Sequence, residues 1–225
     1  MATAEKSSKE NKSSRTAVKK TARASGTKSV APSSDTRRKR AQAVASKSAA
    51  KKATRVSAKD DKSLSDLFEH ALGDIYYAEK KIYKSLPKMI KAADHPDLVQ
   101  ALTSHREETA GQIEKLEAIF ELLGKRAKAE KCDAIDGILE ESESLLEDFG
   151  SSVAADAAII FSCQAIEHYE ITRYGSMRAF ADALGMDEAR QHIDDILAQE
   201  KAADTSLTEL AEDSVNAAAS DYDEE

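Results

Sequence analysis

From Ser63 onward the apolar residues recur at spacings of three, four and seven, in five stretches, four of them similar in length. That period returns a side chain to the same side of an α-helix, so each stretch predicts a helix with one apolar face. The first covers about 64–92, with Phe68, Leu72, Ile75, Ile82, Leu86 and Met89 in line; Ser63 is its N-cap candidate, with Asp66 three residues on. The second covers about 96–123, opened by Pro96, closed by Gly124 and striped by Leu98, Leu102, Leu116, Ile119 and Leu123. A shorter one follows at about 133–149. The fourth covers about 153–181 and the fifth about 187–214, separated by Gly185. Helices of about 28 residues are roughly 42 Å long at 1.5 Å per residue.

Four helices of equal length suit an antiparallel bundle. The short connection near 92–96 makes the first two helices antiparallel neighbours, and Gly185 does the same for the last two. Between the pairs lies a long connection carrying the short helix. One long crossover joining two helical hairpins is the ferritin-like arrangement, as opposed to a simple up-and-down bundle. The expected fold is therefore all-α: a ferritin-like antiparallel four-helix bundle over 63–215, with a short extra helix in the crossover and an acidic tail at 216–225. Three prolines and no tryptophan agree with helix over sheet.

Residues 1–62 differ in kind. They hold 18 Lys+Arg and 5 Asp+Glu, a net charge of +13; the rest of the chain holds 15 and 36, a net charge of −21, and the two give the overall −8. The first segment has no Leu, Ile, Phe or Tyr, so it cannot bury enough surface to offset its ordering entropy, and a disordered tail is expected. Basic groups recur at Lys19-Lys20, Arg37-Arg38-Lys39-Arg40 and Lys51-Lys52. A mobile polycation binds polyphosphates by counterion release, which makes nucleic acid one expected partner; the acidic body, its own or a neighbour's, is another. With no aromatic interleaved, base stacking is unavailable. The composition is similar to that of linker-histone tails.

Other classes are excluded. No apolar run reaches the ~18–20 residues of a membrane span, and the N-terminus lacks the apolar core of a secretory signal. Two cysteines, Cys132 and Cys163, are too few for a disulfide scaffold. A cytoplasmic protein, nucleoid-associated if the tail binds DNA, is expected.

The apolar stripes are interrupted by polar residues. Glu79 continues the first; His105, Glu108 and Gln112 share the face of Leu102 and Leu116; Glu167 and Glu170 fall between Cys163 and Tyr174; Glu200 lies between Ile196 and Leu207, with Asp204 one turn on. Glu79, Glu108, Glu167 and Glu200 all fall near mid-helix, and in an antiparallel bundle the midpoints meet. Isolated buried anions cost several kcal/mol each, and no Lys or Arg continues these stripes at that height. Protons, water or bound cations are the remaining compensations. Oxygen-rich ligation with one imidazole suits iron or manganese over zinc, so a di-iron or di-manganese centre is expected. The candidate ligands are Glu79, Glu108, Gln112, Glu167, Glu170, Glu200 and His105.

The stretches LFEHALGDIYYAEKKIYKSLPKM, HREETAGQIEKLE, QAIEHYEITRYGS and EKAADTSLTELA resemble the YciE/YciF group of ferritin-like bacterial stress proteins over residues 64–215. The resemblance implies a ferritin-like fold, a link to stress response and a homodimer. The body is also similar to the wider di-iron carboxylate superfamily, whose signature is one Glu and then Glu-x-x-His, repeated on two more helices. Glu79, Glu108, Glu167 and Glu200 match its Glu positions. Its histidines are missing, since Glu108-x-x leads to Gly111 and Glu200-x-x to Ala203; His105, Gln112 and Glu170 could take their place.

Two functions follow as expectations. One is a metal-binding bundle with di-iron oxidase or peroxide-scavenging activity. The other is a non-catalytic, nucleoid-associated protein whose bundle only oligomerises and whose tail binds DNA.

Overall fold

In the computed structural model the described residues are 61–220. The expectations for the basic tail and for the last residues of the acidic tail lie outside them. The helices are α1 (Leu64–Ala92), α2 (Pro96–Leu122), α3 (Asp133–Phe149), α4 (Ala155–Ala183) and α5 (Asp187–Leu210), followed by a π-helical turn (Ala211–Val215) and a last short helix, α6 (Asn216–Ser220).

The helix ends follow local chemistry. Ser63 and Asp66 form a reciprocal capping box: the Asp66 N–H donates to Ser63 Oγ at 3.1 Å, and the Ser63 N–H donates to Asp66 Oδ2 at 2.7 Å. Pro96 opens α2. Gly124 and Gly185 stop α2 and α4 with φ of 67° and 68°, a left-handed conformation that glycine adopts without a Cβ clash.

The long helices pack in a ring, α1 against α2, α2 against α5, α5 against α4 and α4 against α1, while α3 lies on α1 and α4. The crossover carries the chain along the bundle so that α4 starts beside the α1–α2 turn. There Asp156 accepts the backbone N–H groups of Asp94 and His95, each at 2.9 Å. Every neighbour in the ring is therefore antiparallel, which is the ferritin-like arrangement.

The crossover is strapped to α1 at Gly73. The Glu130 N–H donates to the Gly73 carbonyl at 2.9 Å, and a Cβ at Gly73 would stand 2.8 Å from Glu130 Cγ and 3.2 Å from the Lys128 carbonyl oxygen. Buried Cys132 meets the Tyr169 hydroxyl at 3.0 Å, and that hydroxyl donates to Asp74 at 3.0 Å. Tyr77 donates to Asp136 at 2.9 Å. These contacts fix α3 across α1 and α4.

Phe68, Leu72, Ile75, Ile82, Leu86 and Met89 of α1 are all buried in a core shared with Leu98, Leu116, Ile159, Ile193 and Ile196. The helical chain runs past 215. Leu207, Ala211 and Val215 are all buried at intervals of four, which a regular α-helix would carry progressively off the core; the wider π turn keeps them facing inward.

Candidate metal centre

Half-way along the bundle the apolar layers give way to acids. Glu79 enters from α1 between Ile75 and Ile82, His105 and Gln112 from α2, Glu167 and Glu170 from α4, and Glu200 from α5, and all six are buried. Residues 167 and 170 share a face because three positions make most of a turn. One donor atom from each of His105, Glu167, Glu170 and Glu200 lies within 4.8 Å of the others. His105 Nε2 stands 3.4 Å from Glu167 Oε1.

Few of these groups have partners. The Tyr174 hydroxyl donates to Glu79 Oε1, and the Gln112 amide donates to Glu200 Oε1. Among the described residues, seven buried atoms of the layer have no partner apart from the carboxyl contacts Glu79–Glu170 and Glu167–Glu200: Glu79 Oε2, His105 Nδ1, Gln112 Oε1, Glu167 Oε2, both carboxylate oxygens of Glu170, and Glu200 Oε2. Buried polar groups in folded proteins nearly always have a partner, so so many orphans in one layer need a cause. Among the described residues, Lys and Arg pair with acids only at the periphery, as in Lys81–Asp136 and Arg190–Asp194.

The electrostatics follow from this crowding. Burial, then the neighbouring Glu200 charge, lifts Glu79 to about 8. Burial also lifts Glu200 to about 7. Burial and the adjoining Glu200 carboxylate lift Glu167 to about 11. Glu170 goes well above the ordinary range, first by burial and then by Glu79 and Glu200. Burial lowers His105 to about 4, so its imidazole is neutral near pH 7, the form that ligates metals.

The structure brings six of the seven sequence candidates into the layer. Glu108 stands beside it, half-buried, on the rim of a groove between α2 and α5. The buried line of α2 runs through Leu102, His105, Thr109, Gln112 and Leu116, one residue away from Glu108. Ala203, where the superfamily spacing would place an imidazole, lines the same groove. Asp204 is half-buried and paired with His168 at 3.1 Å, outside the cluster of four but near enough to help push Glu167 up. Tyr174, which the sequence placed only in an apolar stripe, proves to be a buried partner of Glu79. Its tyrosine type at a core position was the available signal, because a buried phenol needs an acceptor. Cys163 is buried in the core, its thiol raised further by burial.

A four-helix bundle whose mid-section collects carboxylates and an imidazole from all four long helices is of the ferritin-like class. Within that class, a family model described as "Domain of unknown function (DUF892)" matches residues 63–220, and the chain belongs to this family. Protein YciF of Escherichia coli (strain K12) is 38% identical over 156 residues, 69% of this chain and 94% of that protein. Among solved structures, the E. coli stress protein YciF covers 69% of this chain and 98% of its own at a TM-score of 0.66. YcfI from Rhodopseudomonas palustris, 44% identical, covers 68% of this chain and 98% of its own at 0.65. A Xanthomonas campestris protein, 25% identical, covers 71% and 98% at 0.55.

Proposed function

We propose that the bundle is a metal-binding protein whose carboxylate layer holds iron or manganese. What supports this reading is the set of orphaned atoms: six buried side chains converge with seven unpartnered donor or acceptor atoms, a poor solution for a structural core and a ready one for cations. The donor set is oxygen-rich with one neutral imidazole, which fits iron or manganese. Glu167, Glu170, Glu200 and His105 would hold the metal, with Glu79 adding a carboxylate from α1. Bound iron or manganese supplies electron transfer towards oxygen or peroxide, so di-iron oxidase or peroxide scavenging is the activity to assay.

The protein's own part is positioning. Tyr174 fixes the orientation of Glu79, and Gln112 fixes that of Glu200. Ile75, Ile82, Ile166 and Ile196 flank the layer and exclude bulk water. Because one relative is described as a stress protein, expression under stress is the physiological setting to test. The reading expects about two ions per chain after anaerobic Fe(II) or Mn(II) loading and desalting. An unchanged metal content in the double variant Glu79→Ala/Glu200→Ala would sink it.

A second reading rests on the charge split between the +13 segment and the −21 remainder. Residues 1–62 would tether the bundle to nucleic acid in the cytoplasm, and a homodimer would present two such segments, raising a weak affinity through effective concentration. In its pure form this reading makes the bundle a non-catalytic, nucleoid-associated scaffold. A metal-free protein that still retards DNA would favour it.

A further inference from the structure

Resting on the metal-binding reading above, the geometry points to the α2–α5 groove as the port through which a hydrated divalent cation reaches the carboxylate layer, with Glu108 as the carboxylate that receives it on the way. Among the described residues the other three sides of the bundle are spanned by contacts near this height. The α1–α4 side is covered by α3. On the α1–α2 side the Tyr76 hydroxyl donates to Glu117 at 2.6 Å, and the Arg106 guanidinium sits 4.2 Å from the Tyr83 ring centre. On the α4–α5 side Gln164 donates to Thr208 at 2.8 Å while His168 pairs with Asp204 at 3.1 Å.

The α2–α5 side is different. A groove of about 420 Å³ opens there, and His105 and Glu167 lie among its lining residues. Both are more than nine-tenths buried, and among the described residues His105 Nδ1 and Glu167 Oε2 have no partner. The groove connects solvent with two unpartnered groups of the cluster of four. Its walls are kept open by small side chains, Ala101, Ala202, Ala203 and Ser206.

Size and charge select the traveller. At ~30 Å³ per water the groove has room for roughly a dozen waters, enough for a cation with its first shell. Among the described residues, the charged groups that line it without belonging to the cluster are Asp97 and Glu108, and no Lys or Arg lines it. A field of one sign in a low-dielectric cleft concentrates cations and repels anions. Glu108 lies one turn beyond His105 on the same helix and is half-buried, so it meets both the groove and the layer. A carboxylate there can replace part of the cation's water shell before His105 and Glu167 replace more.

The experiment uses the full chain and Co(II), followed by stopped-flow absorbance, with final metal content measured after desalting. Glu108→Gln should slow uptake about tenfold, the low end of electrostatic steering, and leave the final content unchanged. Ala203→Leu, which fills the groove without touching any charge, should slow uptake as well. Added salt should slow wild-type uptake more than that of Glu108→Gln. Wild-type rates in both variants would overturn the port while leaving the metal layer standing. A lost final content in Glu108→Gln would make Glu108 a ligand and overturn its role in transit. No Co(II) uptake by the wild type would overturn the metal-binding reading and the port with it. Far-UV circular dichroism confirms that each variant is folded.

Discussion

Glu170→Met should make the metal-free protein more stable. Glu170 is buried to within 1% of its surface, and among the described residues its oxygens have no partner beyond the Glu79 carboxyl. Its carboxyl is held protonated well above the ordinary 4.5, first by burial and then by Glu79, Glu200 and Glu167. The unfolded chain ionises near 4.5, so the stability this group allows is fully present below that value and is lost as pH rises through the folded-state value. Each pH unit in that window costs about 1.4 kcal/mol for an independent group. The two orphaned oxygens add desolvation of about 1–3 kcal/mol. Shared ionisation within the cluster reduces the total, and replacing buried charges by apolar groups of similar volume typically gains about 1–4 kcal/mol. Methionine matches the size and favours helix. The expectation is a gain of about 3 kcal/mol near pH 7, or roughly 6–12 °C in Tm for a domain of this size. Urea unfolding followed by far-UV circular dichroism measures it. The gain should shrink to about 1 kcal/mol near pH 5, where the ionisation cost has nearly vanished. Mn(II) should raise the wild-type midpoint and leave that of the variant alone. A variant less stable than wild type at both pH values would refute the reasoning, since it would mean that the Glu170–Glu79 carboxyl contact outweighs the cost of burying Glu170.

The metal-free wild type should lose stability from about pH 5 to about pH 8, as Glu200 ionises at about 7 and Glu79 at about 8, both raised chiefly by burial; thermal melts across that range check it. His105 works in the opposite sense: its folded value of about 4 lies below the ordinary 6.5, so stability is lost as pH falls through that window and the optimum is bounded on the acid side. Gly73→Ala should destabilise by about 1–2 kcal/mol, because the new Cβ meets Glu130 Cγ at 2.8 Å and a backbone oxygen at 3.2 Å. Gly111→Ala, with nothing within 4 Å, should stabilise a monomer by about 1 kcal/mol; a loss there, with a lower dimer fraction in sedimentation, would place Gly111 between subunits. Deleting residues 1–62, which carry the +13 charge, should abolish salt-sensitive DNA retardation on gels.

Most helix ends were legible because they are local chemistry. Ser63 with Asp66, Pro96, Gly124 and Gly185 each decide the backbone from within a few residues. The end of α5 was not legible, because the π turn at Ala211–Val215 answers to the core beneath Leu207, Ala211 and Val215, not to a local signal. The layer's acids were legible for a related reason: Glu79, Glu167 and Glu200 interrupt strong apolar stripes at matching heights. On α2 the apolar series is sparse between Leu102 and Leu116, and the direction of the core there is uncertain by a residue or so. His105 and Glu108 therefore looked equivalent. Packing against α5 turns Thr109 inward and leaves Glu108 on the groove. The bond from Tyr174 to Glu79 joins positions 95 apart and depends on α1 meeting α4, which no local pattern encodes.

The acids of the layer come from both hairpins: Glu79 from α1–α2, and Glu167, Glu170 and Glu200 from α4–α5. Neither hairpin alone collects all four. Glu167, Glu170 and Glu200 already meet within the α4–α5 hairpin, but Glu79 joins them and water is shut out only when the two halves close on each other, late in folding. Interactions that form after the transition state act on the unfolding rate and leave the folding rate nearly untouched. Crowded carboxylates should thus shorten the lifetime of the metal-free fold while its rate of formation stays high. The chain would close readily, reopen often along the seam between its hairpins, and become long-lived only once that seam is neutralised.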